Sequence, residues 1–339
     1  MKTRSFFAGV LLAGSCLLFA PSLMAQGTEA PENRRPQMPD GEMKALKGIQ
    51  AAPDLSAKLT AADDFVKHYP KSLARKRAAD GLLEQIARVA DFKQKLPLIQ
   101  SFMKIFTDDA EVKEAEPILI GTYIALNQFD DAFGAGGPFL SRNPDDIQDL
   151  INLAIAATEQ AKQRNTKFAR QGKEYGAAAI GMLEADRKPA AVDAANWDRF
   201  KKMLPQIYQE MAVIAIMQQN AADAQTNLDK AIKLNPSDPF NYALVANLTN
   251  DDYQRTAQTY KSMPDSKAKT DLLQKATELI DKAIDQYAHV VALSEGRPEY
   301  LRLHDQVLSD LTVYYKFRHN QTTEGLQQLI EKYKIPAKP

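Results

Sequence analysis

Four histidines, one cysteine and a glycine-rich run are the first places to look for chemistry in this 339-residue chain. His68, His289, His304 and His319 fall in four different segments, and none belongs to an HExxH run or pairs with another at metal-ligand spacing. They read as helix-surface or groove residues rather than as ligands or general bases. The run Gly134 to Pro138, GAGGP, lacks the Lys-Ser/Thr that reaches phosphates in a nucleotide loop, and it follows a helical stretch where a strand would be required. A helix break or tight turn is expected there. No GxSxG occurs. The acidic pairs Asp63/Asp64, Asp108/Asp109 and Asp251/Asp252 invite an acid and base reading, but adjacent residues point to different sides of a helix. Capping of helix starts by their carboxylates is the better account. The expectation is a chain without catalytic residues, cofactor or metal.

Charge narrows the partners. Forty-three Lys and Arg balance forty-three Asp and Glu, and the densest basic cluster, Arg75 to Arg77, leads directly into an apolar helical stretch. Nucleic acid is therefore not expected as a partner. Lys2 and Arg4 precede an apolar run from Phe6 to Ala20 and then SLMAQ, the order of a secretory signal peptide with cleavage after Ala25. The run is shorter than the roughly 20 residues of a membrane span, and nothing comparable recurs, so no transmembrane span is expected in the mature chain. Cys16, the only cysteine, lacks the preceding pattern of a lipoprotein signal and sits inside the apolar run, which argues against a lipid anchor. An exported protein, periplasmic or secreted, without disulfides is the expectation.

These side chains need elements to position them, and the elements read as helices. Residues 1–25 are the signal peptide, and 26–53, rich in Pro and polar residues, read as a flexible leader. From there on, stretches such as Ile207, Met211, Ile214 and Met217, or Leu272, Ala276, Leu279, Ala283 and Tyr287, repeat at helical spacing and never at period two. Breaks are expected at Tyr69-Pro70, Asn143-Pro144, Asn235-Pro236 and Met263-Pro264, where Pro removes a backbone donor and disfavours helix in the residue before it.

A period of about 34 residues organises these helices. In the segment 205–238, Tyr208, Met211, Ala212 and Ala215 are followed by Ala224, Leu228 and Ala231, with Pro236 as terminator. That pattern closely resembles the tetratricopeptide repeat family. Small residues let two antiparallel helices approach, and large ones fill the space between one pair and the next. The same ruler fits Leu119, Tyr123, Leu126, Phe129 and Ala132 before Pro144. It departs at Gly136 and Phe139, so the second helix there is expected to be short or irregular. It fits 76–109 and the stretch from Ile147 more weakly. After Pro239 the register begins with Tyr242, Val245 and Ala246 and is lost in NDDYQRTAQTYKSMPDSKAKT, read as an interrupting insertion. The expected fold is all-α: a degenerate tetratricopeptide-like α-solenoid of antiparallel helix pairs over 54–264, closed by longer C-terminal helices over 265–335.

The resemblance implies a concave surface lined by first helices. At its comparable positions the chain carries Gln209 and Val213, Pro117 and Gly121, and Ile151 and Ile155, not the Lys, Arg and Asn that clamp a carboxylate. A neutral, partly apolar groove of Gln209, Val213, Ile216, Met217, Ile151 and Ile155 would suit an amphipathic helix or extended apolar peptide, unless these residues are core. The expected function is an exported, non-enzymatic scaffold or adaptor that binds a protein or peptide. The alternative is an envelope protein that holds a small molecule or glycan in the same concavity, with Tyr123, Trp197, Tyr208 and Tyr242 as the aromatic candidates.

Overall fold

The computed structural model describes residues 38–334, and within them the chain is all-α, with fourteen α-helices, one 3-10 turn and no strand. The residues read as a signal peptide, Cys16 and residues 335–339 lie outside these residues. The helices are α1 (Asp40–Ala51), α2 (Leu55–His68), α3 (Arg75–Ala87), α4 (Phe92–Ile105), α5 (Asp109–Ala125), α6 (Phe129–Arg142), α7 (Ile147–Lys162), α8 (Ala169–Glu184), α9 (Ala194–Met217), α10 (Ala221–Leu234), α11 (Pro239–Ser262), α12 (Lys267–Ser294), α13 (Leu301–Arg318) and α14 (Leu326–Glu331). Two compact units divide between Ala156 and Ala157, inside α7. Within each unit successive helices pack on their chain neighbours, the helix-pair stacking of an α-solenoid.

Short polar side chains start these helices and X-Pro pairs stop them. Asp54, Asp193, Asn220 and Ser266 each accept a hydrogen bond from a backbone N–H three residues on. Tyr69, Asn143, Asn235 and Met263, each followed by Pro, are the C-caps of α2, α6, α10 and α11. A further device recurs where helices turn back. Asn127, Arg164, Asp186, Gln219 and Asn320 all have left-handed φ, between 48° and 66°. In each case the next N–H returns to a carbonyl five residues earlier, as from Asn220 to Ala215 at 2.8 Å and from Gln128 to Tyr123 at 2.9 Å. That is the closure of a Schellman turn made without glycine.

In the first unit, Leu59, Phe65, Leu82, Ile86, Ile99, Phe102 and Phe106 form the core under α2, α3 and α4, with the Phe102 and Phe106 rings 4.7 Å apart. Burying each such side chain stabilises the fold by roughly 1.5–3 kcal/mol. Two readings are corrected here. The leader is not unstructured throughout, because 40–51 form α1, which packs on α2 and buries Ile49. The GAGGP run does not break its helix: α6 is continuous through Pro138. Gly136 is there for contact, since a Cβ at that position would lie 2.5 Å from Leu153 Cδ1.

In the second unit, α9 and α10 carry the clearest repeat, and Tyr208, Met211, Ala212, Ala215, Ala224, Leu228 and Ala231 are all buried. α9 begins eleven residues ahead of the repeat's start at Pro205, so this first helix runs 24 residues. Its entry is anchored by Trp197, which is buried and donates from Nε1 to Asp186 Oδ1 at 2.8 Å. The insertion expected from Asn250 is also corrected. α11 continues unbroken to Ser262 and pairs with α12, 28 residues long. α13 and α14 pack against α12 and bury Leu303, Val307, Leu311, Tyr315, Leu326 and Ile330.

Candidate functional site

Why α11 stays helical through NDDYQRTAQTYKS is the key to the site. Between Pro239 at its start and Pro264 beyond its end the sequence has neither Gly nor Pro, so nothing breaks the helix although its apolar register fails. Helical spacing then places Asn247, Asn250, Asp251 and Gln254 on one face. On α13 the same spacing gathers Asp310, Val313, Tyr314 and Phe317.

These two faces meet through a tyrosine cluster. The Tyr287 ring, buried on α12, is nearly parallel to that of Tyr314, with an interplanar angle of 6° and 6.0 Å between centroids. Tyr253 meets Tyr314 edge-on at 6.3 Å. Gln254 Nε2 donates to the Tyr314 phenol oxygen at 3.3 Å, Asn250 directs its amide donor at the same oxygen, and Tyr287 donates to Asn247 Oδ1 at 3.4 Å. Asn250 Oδ1 is shut off from solvent and accepts no hydrogen bond.

Two carboxylates flank the tyrosines. Asp310 is half-buried, and burial pushes its pKa above the usual carboxylate range, with Gln306 opposing the shift. Asp251 reaches water, yet the atoms packed around its carboxylate also push its pKa up, with the Arg255 charge opposing the shift. Both act on the phenols. Burial raises the Tyr287 hydroxyl far above its ordinary value, and the Tyr314, Asp310 and Asp251 charges add to it. Burial likewise raises Tyr314, partly offset by its two amide donors. Beside this cluster Val313 and Phe317 are 49% and 64% exposed, two large apolar side chains one turn apart in water. The arrangement offers acceptors, aromatic faces and an apolar edge.

The groove residues are distributed differently. Val213 and Ile151 are fully buried, Val213 among Ala212, Leu228, Leu244 and Val245, so both are core and neither lines an open groove. They lie where their helices cross neighbours, which helical spacing cannot distinguish from an exposed face. Ile155, Ile216 and Met217 are half-buried. Gln209, also half-buried, donates to Asn241 Oδ1 at 2.8 Å and Asp238 Oδ2 at 3.2 Å, tying α9 to the start of α11. Among the aromatic candidates Trp197 and Tyr208 are buried and bound to Asp186 and Glu184, and Tyr242 packs on His289 at 4.0 Å. Tyr123 accepts a bond from Gln100.

Of the acidic pairs, Asp108 caps α5 in a capping box with Glu111, as the capping reading has it. The other two pairs are corrected, because Asp63/Asp64 and Asp251/Asp252 stand inside α2 and α11. The seam between α11 and α13 was missed for that reason, and the signal that marks it is a polar stripe at helical spacing where the repeat expects apolar residues. Among the described residues no group of three or more His, Cys, Asp or Glu is placed to hold a metal ion, and no helix is long and apolar enough to cross a membrane. The chain matches no protein-family model, and no curated protein matches it.

Proposed function

We propose that this chain is an exported, non-catalytic adaptor of the tetratricopeptide-like kind, and that it holds a segment of a partner protein against the α11–α13 face. The observation that carries the reading is the exposed pair Val313 and Phe317 beside Tyr314, Asp310 and Asp251. Isolated exposed apolar residues are ordinary, but two in line with a tyrosine cluster and carboxylates form a mixed surface suited to an amphipathic segment. Export rests on Lys2, Arg4 and the apolar run that follows them. A glycan reading draws support from the half-buried rings of Tyr253 and Tyr314 next to the amides of Asn250 and Gln254. A sugar gains nothing from the aliphatic Val313 beside Phe317, which favours the protein segment.

The test is photo-crosslinking in the source cells, with a benzophenone amino acid in place of Phe317 and, as control, of Asp229, exposed on α10. One protein product from position 317 and none from 229 supports the reading. Identical products at both positions, or none at 317, refutes it.

A further inference from the structure

His289, on α12, is held between two tyrosine rings, one from α11 and one from the segment after α14. Tyr242, in the first turn of α11, has its ring centroid 4.0 Å from the imidazole at an interplanar angle of 42°, and Tyr333 stacks on it at 4.4 Å and 17°. All three are half-buried. α14 has six residues, too few to persist as a helix without tertiary support, so the segment 326–334 owes its place to what it touches. Leu326 and Ile330 enter the core, Tyr333 covers His289, and Lys334 pairs with Glu295. Lys332 donates to Asp285 Oδ1 at 3.2 Å and to the Tyr333 phenol oxygen at 2.9 Å.

The groups that face the imidazole set what happens when it gains a proton. Asp285 stands one turn before it on α12, Lys332 reaches over from beyond α14, and Tyr242 and Tyr333 supply two phenols. The Tyr242 hydroxyl donates to Pro236 O at 3.2 Å. While His289 is neutral, Asp285 keeps Lys332. As an imidazolium, His289 is a second cation at i, i+4 from Asp285 on the same helix, and it competes with Lys332 for one carboxylate. The tyrosine faces attract a cation, which works against release. Burial works for release by holding the imidazole pKa below its ordinary value, with Asp285 opposing the shift and the Lys332 charge adding to it.

We infer that His289 is an acid-sensitive latch: neutral, it holds the segment 326–334 on α12, and protonated, it takes Asp285 from Lys332 and lets that segment go. Release bares the apolar residues of the second unit that Leu326 and Ile330 cover. A histidine with a depressed folded pKa favours the closed form at neutral pH, and that advantage is lost as pH falls below about 6.5, the ordinary value. The latch stands apart from the adaptor reading, since it uses neither Val313 and Phe317 nor the tyrosines between α11 and α13.

The test is hydrogen exchange of the full mature chain, read by mass spectrometry and corrected for the intrinsic rate at each pH. Between about pH 7.5 and about pH 5, opening of 326–334 rises roughly threefold or more, while α2 in the first unit is unchanged. His289→Phe, which keeps a ring between the tyrosines, stays closed in acid, and His289→Gln opens equally at every pH. His319, a second histidine stacked on a tyrosine, Tyr315 at 3.8 Å, is the control, and His319→Gln keeps the full response. In the unaltered chain the ring signals of His289, Tyr242 and Tyr333 move together in a magnetic resonance titration, with a midpoint below about 6.5. Opening that does not rise in acid, an equal rise in both His289 variants, or a midpoint at or above that value overturns the inference. A response lost in His319→Gln and kept in His289→Phe overturns the assignment to His289. Crosslinking at 317 succeeds or fails independently of all these outcomes.

Discussion

Replacing Val213 by Ala decides whether the middle of α9 is a binding surface or a core. The side chain is 1% exposed and packs among Ala212, Leu228, Leu244 and Val245. Truncation removes two carbons from a buried site, about 1.6 kcal/mol at about 0.8 kcal/mol each. A residual void of roughly 50 Å³ adds about 1.2 kcal/mol if the neighbours do not close in. The expected loss is about 2–3 kcal/mol. The chain supplies its own probe, because Trp197, its only tryptophan, lies buried on the same helix. Its fluorescence in a urea titration reports the second unit, and the midpoint falls without a change in slope. Ile216→Ala, at a half-buried position on the next turn, loses less. A Val213→Ala midpoint shift worth less than about 0.5 kcal/mol, the scale of surface substitutions, refutes the assignment to the core.

Three further outcomes are expected. Arg75→Met strands Glu111, which is 8% exposed and held by Arg75 through bonds of 2.9 and 2.8 Å. It costs about 3 kcal/mol and speeds amide exchange at the start of α5, whereas Arg88→Met, at an exposed pair, changes stability by less than about 0.5 kcal/mol. Asp149 is buried; burial, then Asp146, holds its pKa well above the usual range against the opposing pull of the Asn152 side chain. A carboxyl whose folded pKa is raised penalises folding increasingly as pH climbs past its ordinary value of about 3.9. Asp149→Asn therefore stabilises the first unit near neutral pH, and not at about pH 3, as read by amide exchange of α7. Asp186 behaves oppositely, since the Trp197 hydrogen bond, then Lys201, depresses its pKa. Its contribution is present above the ordinary Asp value and lost as pH falls through the depressed one, so Asp186→Asn flattens the acid limb of the Trp197 unfolding profile.

Helix stops and repeat contacts were legible in the chain because each has a local chemical cause. Proline after Tyr69, Asn143, Asn235 and Met263 marks a terminus wherever it falls, and the alternation of small and large residues from Tyr208 to Ala231 demands close helix packing. What escaped has causes that act at a distance. α1 lies in a Pro-rich setting and owes its place to Leu46 and Ile49 against the core of the first unit. Gly136 reads as a helix breaker until Leu153 is seen against it. The Schellman turns at Arg164 and Gln219 use residues that no rule flags, the usual glycine or asparagine being absent. At the candidate site the polar stripe of α11 reads as a lost register because its partners, Tyr287 and Tyr314, come from helices much later in the chain. Val213 and Ile151 fall on a first-helix face by spacing alone, and burial against neighbouring helices is what spacing omits.

The long pairing of α11 with α12 has a consequence of its own. Thr256 is the last buried residue before the turn at Met263 to Ser266 and Ala276 the first after it, so the stretch between them stands clear of the core as a two-helix arm. Its strands of backbone are held by helix hydrogen bonds and contacts such as Lys269 over the Tyr260 ring at 5.4 Å. An arm of that kind opens at little cost while its base stays shut. Trypsin should clip it first, at Lys261, Lys267, Lys269 or Lys275, and leave two fragments that remain associated. A tag or fluorophore spliced into its tip would ride on the protein without disturbing the tyrosine seam at its root.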